Sequence, residues 1–299
     1  MSIRFGVSPI AWINDDMPEL GADTALEQVL AEARDIGFAG IELGGRFPRD
    51  ATTLAGLLAR FQLILVGGWY SASLLNRSAR EEIAALQAHL GLLKALGCTV
   101  FIIAETSNAI HGNRDRALSA SPRLDRADWA RFGEKLTEVA DYVAASGLRL
   151  AYHHHLGTVV ESGEDLERFL EATGSSVGMT VDTGHAALGG VDAVSLIRTH
   201  PHRVAHVHCK DVRGEVFRKL KAGEGSFLNG VLDGMFTAPG DGDIDFRKVM
   251  QALAEIGYSG WIIVEAEQDP ALADPRRYGE LGLTTLRREA AAAGLRMVE

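Results

Sequence analysis

The chain has 299 residues, 46% of them hydrophobic and 23% charged, with 30 Lys and Arg against 40 Asp and Glu for a formal charge of −10. That is apolar material enough for a large core, which excludes disorder as a description of the whole, and the negative balance without a basic stripe speaks against nucleic acid and anionic membranes as partners. The 2 cysteines, Cys98 and Cys209, are too few and too far apart for a disulfide framework or a clustered thiolate zinc site. A reducing compartment follows. Met1 to Val7 enters a strand-like run with no charged region, apolar stretch or cleavage site, so a cytoplasmic location is expected. No apolar run approaches the roughly 20 residues that span a bilayer.

In chain order, β-rich runs alternate with stretches of helical spacing. Strands are predicted at Ile3–Pro9, Ala39–Leu43, Leu63–Val66, Thr99–Ala104, Leu148–His155, Gly178–Asp182, Val204–His208 and Trp261–Glu265, with helices following at 24–36, 51–60, 78–96, 126–146, 161–172, 189–199, 245–257 and 275–293. Gly37, Gly97, Gly147 and Gly257 punctuate the passage from helix to next strand. Eight such units suit a single-domain α/β fold over 1–299, a closed (β/α)8 TIM barrel, because repeated right-handed crossovers bring the last strand beside the first. A doubly wound sheet is the alternative, but the first βα turn lacks the Gly-x-Gly-x-x-Gly fingerprint and no pause marks a second domain. Two βα connections are long, 105–125 and the Gly-rich 209–244, and the second reads as a lid over the face that carries chemistry.

Side chains of a barrel strand alternate between lumen and helix layer, so each strand's parity can be read from its apolar positions. Ala205 and Val207 turn outward and leave His206 and His208 inside; Met179 and Val181 leave Asp182; Ile262 and Val264 leave Glu265; Leu150 and Tyr152 leave His153 and His155; Glu42 faces inward by the same rule. Ionisable groups thus occupy strand ends where a stability-driven core would carry Val, Ile or Leu. Carboxylates and imidazoles so crowded repel or stay under-bonded unless a cation gathers them, and oxygen–imidazole ligation without thiolate suits Mn2+, Co2+, Mg2+ or Zn2+.

Taken singly, a buried Asp or His is more often a hydrogen-bonded core residue than a ligand. The argument for a metal rests on Asp182, His208 and Glu265 at three successive strand ends. His154 is expected to point away from the lumen and bond a loop, Cys209 to face the helices, and Glu105, Glu267 and Asp211 to be as well explained as solvated loop charges. Pro239-Gly-Asp-Gly-Asp-Ile-Asp245 lacks the spaced Glu of a calcium loop and reads as a turn with Asp245 as helix N-cap.

Val181-Asp-Thr-Gly-His185, His206-Val-His-Cys-Lys-Asp211, Pro239-Gly-Asp-Gly-Asp-Ile-Asp-Phe246 and Val264-Glu265 resemble the xylose-isomerase-like barrel superfamily across the whole chain. Ser8-Pro-Ile-Ala-Trp-Ile-Asn-Asp-Asp16, the 37–49 segment, Tyr152-His-His-His-Leu-Gly-Thr158, Val231-Leu-Asp-Gly-Met-Phe236 and Glu265-Ala-Glu-Gln-Asp-Pro270 resemble, within it, the inosose dehydratase family of myo-inositol catabolism. The resemblance implies ligands at Glu, Asp, His and Glu on successive strands, which here fall at His153 or its neighbour, Asp182, His208 and Glu265. Mn2+ or Co2+ leads as the metal, with Mg2+ or Zn2+ as alternatives. It further implies a hydro-lyase acting on a small keto-cyclitol, 2-keto-myo-inositol, with no redox cofactor. His185, Lys210 and His155 are assigned the proton transfers, Lys210 with a pKa lowered beside the cation and His185 titrating near neutrality. A sugar isomerase or epimerase on the same scaffold is the nearest rival, a silent polyol-binding protein the rival of another class, and a homo-oligomer is compatible with either.

Overall fold

The computed structural model describes residues 2–298. Eight parallel strands close into a barrel: β1 (Ile3–Val7), β2 (Gly40–Leu43), β3 (Ile64–Ala72), β4 (Val100–Glu105), β5 (Arg149–His153), β6 (Gly178–Asp182), β7 (Val204–Cys209) and, after a small antiparallel ribbon of β8 (Asp211–Val212) and β9 (Phe236–Thr237), β10 (Gly260–Val264). β10 pairs with both β1 and β7, which shuts the ring. The expected (β/α)8 architecture is the one observed.

Local chemistry explains the helix ends. Asp50 and Asp245 accept from the amides of Thr53 and Lys248, Ser78 and Ser162 make reciprocal capping boxes with Glu81 and Asp165, and Gly37 takes the left-handed conformation (φ 102°) that lets its amide close the first helix. The expected 78–96 helix breaks at Leu86 into Ala79–Ala85 and Gln87–Ala95, and the 189–199 helix is a shorter Ala193–Thr199 preceded by a turn-and-a-half at Thr183–Leu188. Among the described residues no helix is long and apolar enough to cross a membrane.

The apolar residues fall into layers. Outward-facing Ile41, Leu150, Tyr152, Met179, Val181, Val207, Cys209, Ile262 and Val264 join the main core between strands and helices, as parity requires. Inside the barrel floor, Val66, Trp261 and Ile263 form a separate plug. It fits because Gly6 and Gly40 lie opposite: a Cβ on either would stand 2.8 Å from the Ile263 or Val66 side chain respectively.

The 209–244 connection, expected as a lid, is largely regular structure. It folds into helices Gly214–Ala222 and Phe227–Leu232 and the β8–β9 ribbon, with a core of its own (Phe217, Leu220, Phe227, Val231, Met235, Phe236) that also buries Met17, Leu118 and Leu156 from three other βα loops. Asp211, expected among solvated charges, is buried: its carboxylate accepts from the amides of Val212, Gly240, Gly242 and Ile244 at 2.9–3.0 Å. Glu105 is likewise buried and accepts from Leu74 and Ser107. Both acids tie loops together.

Candidate active site

At the C-terminal mouth of the barrel lies a cavity of about 570 Å3. Glu42, His153, His155, His208, Glu265 and Glu267 reach it from the strand ends, while Asn14, Asp15, Arg46 and Arg49 wall it from the first two βα loops. Backbone contacts stiffen that wall: Asp15 accepts from the Gly45 amide at 2.9 Å, Arg46 donates to the carbonyls of Gly21 and Thr24, and Arg49 donates to that of Gly44.

His208 is the hub of the buried groups. Its Nε2 lies 3.0 Å from Glu42 Oε1, which His206 Nε2 also approaches at 2.9 Å. Its Nδ1 lies 2.9 Å from Glu265 Oε2 and 3.7 Å from Asp182 Oδ2. Asp182 Oδ1 is engaged as the N-cap acceptor for the His185 amide at 2.8 Å; Oδ2 has no hydrogen-bond partner and faces His153 Nε2 at 3.6 Å and Lys210 Nζ at 3.9 Å. Among the described residues two donor sets converge closely enough to share a cation, His153–Asp182–His208 and Glu42–His206–His208. Glu265 stands beside the first set but is engaged by Lys210 Nζ at 2.5 Å. A buried carboxylate oxygen left unbonded among imidazoles is costly by itself, and the mixed oxygen and nitrogen donors fit a divalent ion.

The field inside this cluster sets the protonation states. Burial opposes ionisation of Glu42, but His208 and His206 outweigh it and hold its carboxyl down at about 2. Burial likewise disfavours charge on His208, yet Glu42 and Glu265 raise its pKa well above the ordinary value. Lys210, buried against Glu265, Asp182 and Glu267, is shifted upward by these carboxylates despite desolvation; the lowering expected from the sequence supposed a cation beside it. Burial drives His155 and His185 well below the ordinary imidazole range, so His185 is held neutral rather than poised near neutrality.

Of the residues singled out from strand parity, Glu42, His153, His155, His208 and Glu265 line the cavity, while Asp182 faces His153 and His208 and His206 approaches Glu42 from behind that lining. His155 Nδ1 lies 2.7 Å from the Leu156 carbonyl, which only accepts, so that nitrogen carries the proton and Nε2 keeps its lone pair. His185 and Lys210 are not among the cavity's lining residues: they sit behind the wall, 3.2 Å apart, Lys210 donating to Glu267 Oε2 at 3.2 Å and His185 packed against His155 with ring centroids 3.8 Å apart and planes inclined by 39°. His154 is buried and neither ring nitrogen has a partner, so the expected loop hydrogen bond is absent. Burial, with His153 adding to it, lowers its pKa to about 3.

Glu267, which the sequence left between a site residue and a solvated loop charge, is buried, lines the cavity and leaves Oε1 without a partner. Burial pushes it up to about 7 against the pull of Lys210. Its signal was present in the sequence, since Glu267 continues the alternation that places Glu265 inside. Trp69 and Ser71 also line the cavity and had no such signal, because the strand expected to end at Val66 runs on to Ala72.

Residues 30–297 match the model of the xylose isomerase-like TIM barrel family. The chain is 46% identical to the rhizopine catabolism protein MocC of Rhizobium meliloti, over 99% of its own length and 91% of that protein's. It is 39% identical to an inosose dehydratase of Geobacillus thermodenitrificans over 92% and 93% of the two chains. Among solved structures, that of an L-ribulose 3-epimerase superposes with a TM-score of 0.68 at 19% identity, covering 98% of this chain and 96% of that one, a likeness of fold. The chain belongs to the xylose isomerase-like TIM barrel family and, within it, groups with the inosose dehydratases.

Proposed function

We propose that this chain is a hydro-lyase that removes one water from 2-keto-myo-inositol to give a trihydroxycyclohexane-1,2-dione, the activity in whose name its inosose dehydratase relatives are described. The observation that carries the reading is the unpartnered Asp182 Oδ2 facing His153 and His208, beside the free Nε2 lone pair of His155. His153, Asp182, His208 and Glu265 would hold a divalent ion, Mn2+ or Co2+ first and Mg2+ or Zn2+ as alternatives. Bound there, the ion supplies Lewis-acid polarisation of the ketone, which acidifies the neighbouring C–H.

The protein's own groups then move two protons. His155 Nε2 takes the proton from the carbon next to the ketone, its Nδ1–H anchored on Leu156 so that the lone pair stays turned to the cavity. Glu267 delivers a proton to the departing β-hydroxyl, its carboxylate then stabilised by the Lys210 ammonium that donates to it, and is reprotonated from solvent as His155 releases the proton it took. His185, packed on His155 and against Lys210, holds both in place. One C–H and one C–O bond break, a double bond forms, and the proton and hydroxyl leave as water with no change of oxidation state overall, so no nicotinamide is needed.

Purified protein with a divalent ion and 2-keto-myo-inositol is expected to yield a product lighter by one water, with a new ultraviolet band from the conjugated enol. A product of unchanged mass and altered stereochemistry would replace this reading with the isomerase or epimerase alternative.

A further inference from the structure

We propose that Trp69 is a stacking platform for the apolar face of the substrate ring, and that it makes the site selective for rings whose hydroxyls on that face are all equatorial. This rests on the proposed keto-cyclitol substrate and adds to it a residue that selects among cyclitols.

The platform is built by a β-bulge. Leu65 faces the helix layer and Val66 the barrel floor, so simple alternation would turn Trp69 outward and Tyr70 inward. Between β2 and β3 the register instead runs Ile41 to Leu65 and Leu43 to Gly68, two residues facing three. The extra residue inverts the parity of everything after it. Tyr70 packs outward on Phe101 and bonds Glu82, while Trp69 and Ser71 line the cavity.

The bulge leaves no room for other residues. A Cβ on Gly68 would lie 2.7 Å from Leu43 Cβ, and the Gly68 carbonyl is bonded by His89 Nε2 at 3.1 Å. Nothing in the packing of the barrel needs an indole here: Trp12, Trp129 and Trp261 are 2%, 4% and 9% exposed, Trp69 37%.

Its orientation suits a ligand. The indole N–H donates to Ser71 Oγ at 2.8 Å, which takes its one polar atom out of play. The ring meets His153 and His155 edge-on, with centroids 5.3 and 5.8 Å away, so it adjoins both the donor set and the proposed base. An aromatic face carries negative charge density and attracts the weakly positive C–H bonds of a ring face. In 2-keto-myo-inositol every hydroxyl is equatorial, so each face offers only axial C–H bonds and lies flat on an indole; an axial hydroxyl would hold the ring away and lose water without gaining a partner.

The test uses titration calorimetry on the full-length, metal-loaded protein with two unreactive probes: scyllo-inositol, with all hydroxyls equatorial, and D-chiro-inositol, with an axial hydroxyl on each face. Wild type and Trp69→Phe are expected to prefer scyllo-inositol by about tenfold, and Trp69→Ala to lose the preference. Wild-type tryptophan emission should shift to the blue with scyllo-inositol, a shift absent from Trp69→Phe; this reading stands even if the alanine variant does not fold. An unchanged preference in folded Trp69→Ala, an unshifted emission at saturation, or no binding of scyllo-inositol overturns the proposal. No turnover is involved, so Trp69-dependent binding without water release from 2-keto-myo-inositol would remove the dehydratase reading alone, and water release with no Trp69 dependence would remove the platform alone.

Discussion

The lower and upper halves of the barrel lumen are built by the same strands in opposite chemistries. Below, Val66, Trp261 and Ile263 fill the space left by Gly6 and Gly40 with apolar surface and no ionisable group. Above, Glu265, two residues past Ile263 on β10, crowds with His206, His208, Glu42 and Asp182. The floor contributes stability through burial and packing, whereas the upper layer confines charge that burial opposes, so that layer costs stability and is retained for what it does. Substitutions in the two halves should therefore act on different observables.

The largest effect on turnover should come from the donor set. Exhaustive chelation is expected to abolish water release and Mn2+ or Co2+ to restore it, while Asp182→Asn should cost roughly a hundredfold or more in metal affinity, read by calorimetry. Full activity in metal-free protein would sink the assignment. Next, His155→Gln should lower kcat by roughly 10^2 to 10^4 with metal content unchanged, since it removes the lone pair held toward the cavity.

Glu42→Gln sharpens the contrast. Glu42 accepts at His208 Nε2 and so leaves Nδ1 to face Asp182 and Glu265; a neutral amide should weaken metal binding by about 10 to 100-fold without lowering the melting temperature. Ile263→Ala, two residues before Glu265 on β10, should do the reverse, costing about 2–5 kcal/mol of stability in denaturant titration and leaving kcat of the folded protein at the wild-type value. If both variants changed the same observable, the division of the lumen would be wrong.

The smallest effect is a pH dependence at the bulge. Burial lowers the His89 pKa, with Arg49 adding to it and the Gly68 carbonyl opposing. The folded state then binds fewer protons here than the unfolded one, so this contribution is complete above about 6.5 and is lost as pH falls through the lower folded value. His89→Gln should therefore show a shallower fall in melting temperature between neutral and acidic buffer than wild type. An equal or steeper fall would count against the brace.

Much of the site was legible because strand parity is local. Val207, Met179, Val181, Ile262 and Val264 announce the helix-facing side, and their alternation puts His208, Asp182 and Glu265 inside without knowledge of any neighbour. Where parity was followed only to the strand end, Glu267 was passed over although it continues the same series. Glu105 and Asp211 stay ambiguous in the sequence for a different reason: the amides that satisfy them include those of Leu74, Gly240, Gly242 and Ile244, and a loop acid looks solvated until its distant donors are in place. The 209–244 connection hid its core because Phe217, Phe227 and Phe236 pack partly on other βα loops.

Two features belong to tertiary structure alone. Trp69 faces the cavity only because β3 slips against β2, and register between strands is decided by what fits between them, here the contact of Gly68 with Leu43. The upward shift of Lys210 arises from three carboxylates brought by β6 and by the end of β10, so the direction of its pKa was set by neighbours far away in sequence. The number of strands, the closed barrel and the inward-facing acids and imidazoles follow from periodicities of two and of about 3.6 residues, which each segment carries by itself. Slip between strands and charge coupling are sums over pairs of segments, and no segment carries them alone.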